Sequence, residues 1–144
     1  MEFYLKMFRL SQKADYGLIL LSSLASHARP DYVSINAVAK KNRLSPKFLS
    51  QVAHELRKEG ILASKEGVTG GYTLAKSAQQ IKLLDVLRVL EGKFFNGKCF
   101  EEKGRCICGA NTIWKDMKNQ VEAVLGGKSV ADLVKSKTCS HMSS

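Results

Sequence analysis

SINAVAKKNRLSPKFLSQVAHELRKEG, residues 34–60, holds two helical segments separated by a tight turn. In the first, residues 34–42, Ile35, Val38 and Ala39 share one face at helical spacing, and Ser34 stands at the N-cap. Arg43-Leu44 makes the turn, and Ser45-Pro46 restarts a helix. A serine at the N-cap accepts a free backbone N–H, and a proline at the first helical position lacks the N–H that would go unpaired there. This second segment is predicted to run to about Glu59 and to stop at Gly60. Leu49, Val52, Ala53 and Leu56 fall at i, i+3, i+4 and i+7 and pack inward, while Lys47, Ser50, Gln51, His54 and Arg57 face elsewhere. Two helices joined by a tight turn, the second with a polar outer face, make a helix-turn-helix.

Downstream, ILASKEGVTGGYTLAK (61–76) has two short strand candidates, Ile61-Leu62 and Tyr72-Thr73-Leu74, around a glycine-rich connection. That hairpin reads as a wing. Upstream, residues 11–28 read as a helix with Ala14, Leu18, Leu21, Ala25 and Ala28 inward, Ser11 as its cap and Pro30 past its end. LLDVLRVLE (83–91) is a further amphipathic helix ending at Gly92. The fold class that follows is mainly α with a small β wing: a winged helix-turn-helix over residues 7–92.

The charge points to a partner. The net charge is +10, and half of it lies in residues 40–65, where Lys40, Lys41, Arg43, Lys47, Arg57, Lys58 and Lys65 face only Glu55 and Glu59. Such a concentration favours a polyanion, here double-stranded DNA. Ser45, Lys47, Ser50 and Gln51 lie on the N-terminal half of the second helix, where helix-turn-helix proteins touch base edges. Glutamine can pair with N6 and N7 of adenine, and lysine with O6 and N7 of guanine. Lys40, Lys41, Arg57 and Lys65 are placed for phosphates, and Thr69, Gly70 and Gly71 can offer backbone N–H groups from the wing. Lys13 and Tyr16, near the start of the first helix, suit either a phosphate contact or packing. His27 and His54 read as surface residues.

KCFEEKGRCICG, residues 98–109, gathers Cys99, Cys106 and Cys108 in a segment rich in glycine and charge. Three thiols that close point to a soft-metal or redox site. A structural zinc would want four Cys or His ligands, and no histidine lies between residues 55 and 140, so zinc fits poorly. An iron–sulfur cluster fits three thiolates plus one other donor. A cluster-free role in thiol oxidation is the alternative. Cys139 is read as a bystander. A thiol enzyme is disfavoured: no histidine neighbours a cysteine of this segment, and no phosphate loop is present.

Residues 110–125 read as a long helix with a stripe of Ile113, Trp114, Met117, Val121, Val124 and Leu125. The winged domain closes its own core without this stripe, so a homodimer through the helix is expected, with folding back onto 83–91 as the alternative. Gly126-Gly127 ends it, Ser129 and Asp132 cap a short helix, and 136–144 read as a disordered tail. The organisation expected is thus 7–92 for DNA, 93–109 for the cysteine loop and 110–135 for dimerisation. Residues 1–6 read as an upstream extension. The start lacks the apolar middle of a signal peptide, and no apolar run approaches the roughly 20 residues of a membrane span, so a cytoplasmic location is expected.

RLSQKADYGL (9–18), LSPKFLSQVAHELRKEGIL (44–62), GVTGGYTLAK (67–76) and three cysteines before a Trp-bearing helix together resemble the Rrf-two family of winged-helix repressors, with its IscR and NsrR branches. The resemblance covers about residues 7–135. It implies dimeric DNA binding through a long contact helix, and a cluster of the 2Fe–2S or 4Fe–4S type on Cys99, Cys106 and Cys108. The fourth ligand in such proteins is a histidine after the third cysteine or an acidic residue from the partner's first helix. Here Asn111 stands where the IscR branch has histidine, and Asp15 falls where the NsrR branch has its acidic ligand. Asp15 of the second subunit is therefore the expected fourth ligand, with Glu101, Glu102 or a small thiol as substitutes. The cysteine spacing, C-x6-C-x-C, is less even than usual. Glu66 stands where IscR-like wings often carry arginine, so a different operator preference is implied.

Overall fold

The computed structural model describes residues 11–27, 32–92 and 109–135, without the side chains of residues 110 and 111. The elements are α1 (Gln12–Ala25), α2 (Ile35–Asn42), α3 (Pro46–Lys58), β1 (Leu62–Lys65), β2 (Gly71–Leu74), α4 (Leu83–Glu91), α5 (Gly109–Gly126) and α6 (Val130–Lys135).

α1 is the centre of the bundle and packs on α3, α4, α6 and β2. That many neighbours bury a wide arc: Ala14, Gly17, Leu20, Leu21 and Leu24 are enclosed. Leu18 and Ala25, expected inside, are half-buried, because the helix is apolar on most of its circumference and the packing selects an arc rotated from the one that spacing suggested. α1 also ends at Ala25, short of the predicted 28. Ser11 sits at its N-cap, but its side chain makes no cap bond; its N–H donates to Oε1 of Glu91 at 2.9 Å, and its hydroxyl donates to the same oxygen.

α2 and α3 follow the sequence pattern closely. Ile35, Val38 and Ala39 are buried on α2, and Leu49, Val52, Ala53 and Leu56 on α3. Removing one such leucine to alanine in a packed core costs about 2–5 kcal/mol. Ser34 occupies its cap position without a side-chain bond, whereas the Ser45 hydroxyl accepts the N–H of Phe48 at 3.4 Å.

The wing is longer than its strand candidates suggested. β1 starts one residue after Ile61 and runs to Lys65, pairing antiparallel with β2 in the register Leu62↔Leu74 through Lys65↔Gly71. A further bridge to β2 comes from Val33, whose N–H and C=O exchange bonds of 2.8 and 2.9 Å with Tyr72. Gly71 has φ of 150°, and a Cβ there would collide with the Val33 carbonyl, so glycine is needed for that approach.

α6 returns to the same core. The N–H of Val130 donates to Ile81 O at 2.9 Å and that of Leu83 to Lys128 O at 3.0 Å, and Val130 is fully enclosed. Packing thus joins α6 to the winged body, although the sequence pattern grouped it with the long helix. α5 divides along its length. Its C-terminal part lies on α4, with Arg88 3.7 Å from Glu122 and Leu125 against the core. Ile113, Met117 and Val124 stay 63, 38 and 61% exposed.

Candidate nucleic-acid interface

The turn between α2 and α3 sets the site. Arg43 closes α2 in the left-handed conformation (φ 56°, ψ 45°), and the Leu44 N–H reaches back to Ala39 O at 2.9 Å. Few residues adopt this conformation without a penalty. The chain thereby turns within three residues, 43–45, and α3 starts at Pro46 with its buried face on α1, α2 and α4.

With one face buried, the opposite face is set. Ser45, Lys47, Ser50, Gln51, His54 and Arg57 are all exposed. Lys40 and Lys41, in the last turn of α2, are exposed as well. Lys65 projects from the end of β1, its ammonium 5.9 Å from the Tyr32 ring centre. Beyond it Glu66, Gly67, Val68 and Thr69 form the exposed wing tip. The Gly70 N–H donates to Gly67 O at 3.0 Å, so it holds the wing's own turn. A Cβ on Gly70 would overlap the Lys65 carbonyl, which is why this turn takes glycine.

Two residues of α1 that sequence left open acquire partners. Lys13 Nζ lies 2.8 Å from Oε1 of Glu55 on α3, so its charge is engaged. The Tyr16 ring meets the Phe48 ring edge-on, with centres 4.8 Å apart, and its hydroxyl oxygen accepts the Ser45 N–H at 3.3 Å. Sequence reasoning did not find this contact with Ser45 and Phe48. An aromatic residue on the rim of an apolar helix was the one available signal. His27 and His54 are exposed, as read.

Residues 10–136 match the Rrf2 family, described as an iron-dependent transcriptional regulator. The chain belongs to the Rrf2 family. It is 32% identical over 131 residues to the rrf2 protein of Nitratidesulfovibrio vulgaris, spanning 88% of this chain and 87% of that one. Among solved structures it resembles T. potens IscR, with a TM-score of 0.72, 31% identity, and coverage of 88 and 86%. It also resembles the oxidized form of Staphylococcus aureus CymR, with a TM-score of 0.71, 30% identity, and coverage of 88 and 95%. The winged fold and the regulator class expected from the motifs are therefore those of this Rrf2 chain, and its relatives are regulators of transcription rather than enzymes. Rrf2 regulators bind DNA.

Cys99, Cys106 and Cys108 lie outside the described residues. Among the described residues no three His, Cys, Asp or Glu side chains gather in a way that would hold a metal. Asp15 is exposed in the first turn of α1. Among the described residues no helix is long and apolar enough to cross a membrane.

Proposed function

We propose that this Rrf2 chain is a homodimeric, DNA-binding repressor that reports iron–sulfur, redox or nitric oxide status through an iron–sulfur cluster. The observation that carries the DNA reading is the two-sidedness of α3. Leu49, Val52, Ala53 and Leu56 are enclosed, and Ser45, Lys47, Ser50 and Gln51 are turned outward on its N-terminal half. These four residues read base edges. Lys40, Lys41, Arg57 and Lys65 hold phosphates, with Thr69 and Gly71 contributing from the wing. Gly70 acts there by shaping the turn. Dimerisation runs through the exposed face of α5, and it must set two α3 helices at a half-site spacing of roughly 34 Å.

The donor set fits a cluster by its chemistry. Three soft thiolates suit iron bridged by sulfide, and the exposed Asp15 carboxylate is available to a second copy. Cys99, Cys106 and Cys108 would hold the group, with Asp15 of the other subunit as fourth ligand. When bound, it supplies a centre whose state changes with iron supply and with oxidants.

The test is an anaerobic visible spectrum of fresh protein with iron and acid-labile sulfide counted. Colour is expected, lost in Cys99→Ala, Cys106→Ala and Cys108→Ala and kept in Cys139→Ala. Asp15→Ala is expected to shorten the cluster's lifetime while the fold persists. A colourless protein that still binds DNA specifically would move the reading to its alternative, a cluster-free repressor answering thiol oxidation or a protein partner. The likeness to S. aureus CymR, solved in an oxidized form, favours that second reading.

A further inference from the structure

The N-terminal half of α3 is thinly supported. Of residues 46–51 Leu49 alone is buried; Phe48 is half-buried and the others are exposed. The C-terminal half is fixed by Val52, Ala53 and Leu56 in the core. The first turn, which carries the outward side chains, takes its position from Leu49 in the core and from what holds Ser45 and Phe48 at its edge. One side chain touches both of these edge residues. The Tyr16 hydroxyl oxygen accepts the Ser45 N–H at 3.3 Å, and the Tyr16 ring packs edge-on against Phe48 at 4.8 Å.

Tyr16 is itself placed by a second link. Five residues earlier, Ser11 gives both its N–H and its hydroxyl to Glu91 Oε1 at the end of α4. The Ser11 carbonyl in turn accepts the Ala14 N–H at 3.0 Å, closing the first turn of α1. The carboxylate stands at a helix N-terminus, where a negative charge is favourable.

We propose that Tyr16 is a positioning residue for DNA specificity. It orients the first turn of α3, and Glu91 orients Tyr16 through Ser11. This rests on the reading of α3 as the base-contacting helix. The physical ground is the narrowness of hydrogen-bond geometry: base-edge bonds weaken steeply when donor and acceptor leave their range. Phosphate attraction is long-ranged and tolerates the same displacement. A loosened first turn therefore costs specificity before it costs affinity for DNA in general.

The experiment uses the full chain, the duplex it selects from a randomised library, and a scrambled duplex. Tyr16→Phe keeps the ring and removes the acceptor. Affinity for the selected duplex is expected to fall roughly three- to tenfold, the scale of one hydrogen bond, with affinity for the scrambled duplex and the salt slope unchanged. Thermal unfolding is recorded alongside. Glu91→Ala is expected to act in the same direction, and the double variant to be no worse than the larger single effect, because both act on one turn. Glu91→Gln, whose amide oxygen still accepts from Ser11, is expected to restore discrimination. A parallel loss on both duplexes, unchanged discrimination in Tyr16→Phe, or additive losses would overturn the proposal. Wild-type protein that does not discriminate the duplexes would sink the DNA reading itself, and the proposal with it.

Discussion

Gly17 on α1 lies so close to Leu90 on α4 that a methyl group placed on Gly17 would overlap the Leu90 Cδ1 atom. This is where the first helix meets the helix that precedes the cysteine segment. Two effects oppose each other in Gly17→Ala. Alanine gains about 1 kcal/mol of helix propensity over glycine. Overpacking a filled core costs about 1–3 kcal/mol, and Leu90 is itself buried with little room to turn. Overpacking wins, and a net loss of about 1 kcal/mol is expected in denaturant unfolding. A gain in stability would show that Leu90 has another rotamer open to it.

Arg43 presents the reverse case. It is the one described non-glycine residue with positive φ, at the turn between α2 and α3. The left-handed conformation costs an L-residue about 1–2 kcal/mol, and glycine gives back about 0.4–1 kcal/mol through its freer unfolded chain. Arg43→Gly is expected to raise stability by about 0.5–1 kcal/mol in denaturant unfolding. A lower midpoint would mean that the arginine side chain contributes contacts outweighing its backbone strain.

The parts of this structure legible from sequence are the parts held by neighbours along the chain. Ser45-Pro46, the inward set Leu49, Val52, Ala53 and Leu56, and the glycine stop after α3 are all local signals, and each stands as read. The wing was legible in its turn but not in its extent. The added bridge to β2 comes from a single residue, Val33, and one residue carries no period. The Ser11–Glu91 bonds join positions 80 residues apart, so no window holds both. α1 misled by being apolar nearly all round: periodicity marks a face only where polar residues define the other side. For the proposed DNA site, side-chain types and exposure were readable, and packing was one of the two readings of Tyr16, but its partners Ser45 and Phe48 and the Lys13–Glu55 pair were not.

Ser129 and Asp132 form a small cap at α6, with the Ser129 N–H 2.8 Å and its hydroxyl 3.3 Å from Asp132 Oδ2. The N–H bond, helped by Lys128 and Lys135, holds the Asp132 carboxyl below its ordinary range. A carboxyl with a lowered folded-state pKa adds stability above its unfolded value, and that contribution disappears as pH falls through the folded value. Asp132→Ala should therefore unfold at a lower temperature than wild type at pH 7. The gap should begin to narrow as pH drops below about 4, near the unfolded value, and should vanish only once pH has fallen through the lowered folded value. A gap that stays the same size from pH 7 through the acid range would place the effect in packing rather than in the charged cap.

The face of α5 that α4 leaves open tests the dimer. Ile113 and Met117 are one helical turn apart and exposed. If this face meets a second copy, two carboxylates there desolvate without partners. Ile113→Glu with Met117→Glu should shift sedimentation to the monomer while helical circular dichroism is kept. The double variant should also lose most affinity for a two-half-site duplex. A dimer that survives both changes would move the interface off this helix.

Gln51 and Lys40 separate base reading from phosphate attraction. Gln51 is exposed on the N-terminal half of α3, and Lys40 lies in the last turn of α2 ahead of the Arg43 turn. Losing a base-edge contact costs roughly 1–3 kcal/mol on the selected site and little on random DNA. Losing a phosphate contact weakens both alike and flattens the salt dependence by about one unit. Gln51→Ala is therefore expected to lower the ratio of selected to scrambled affinity. Lys40→Ala should leave that ratio nearly unchanged, because a phosphate contact carries no sequence information. Binding to both duplexes at two salt concentrations separates the cases. Equal weakening of both duplexes by Gln51→Ala would mean that α3 does not read bases through this residue, and its docking in the groove would have to be turned toward another part of the exposed face.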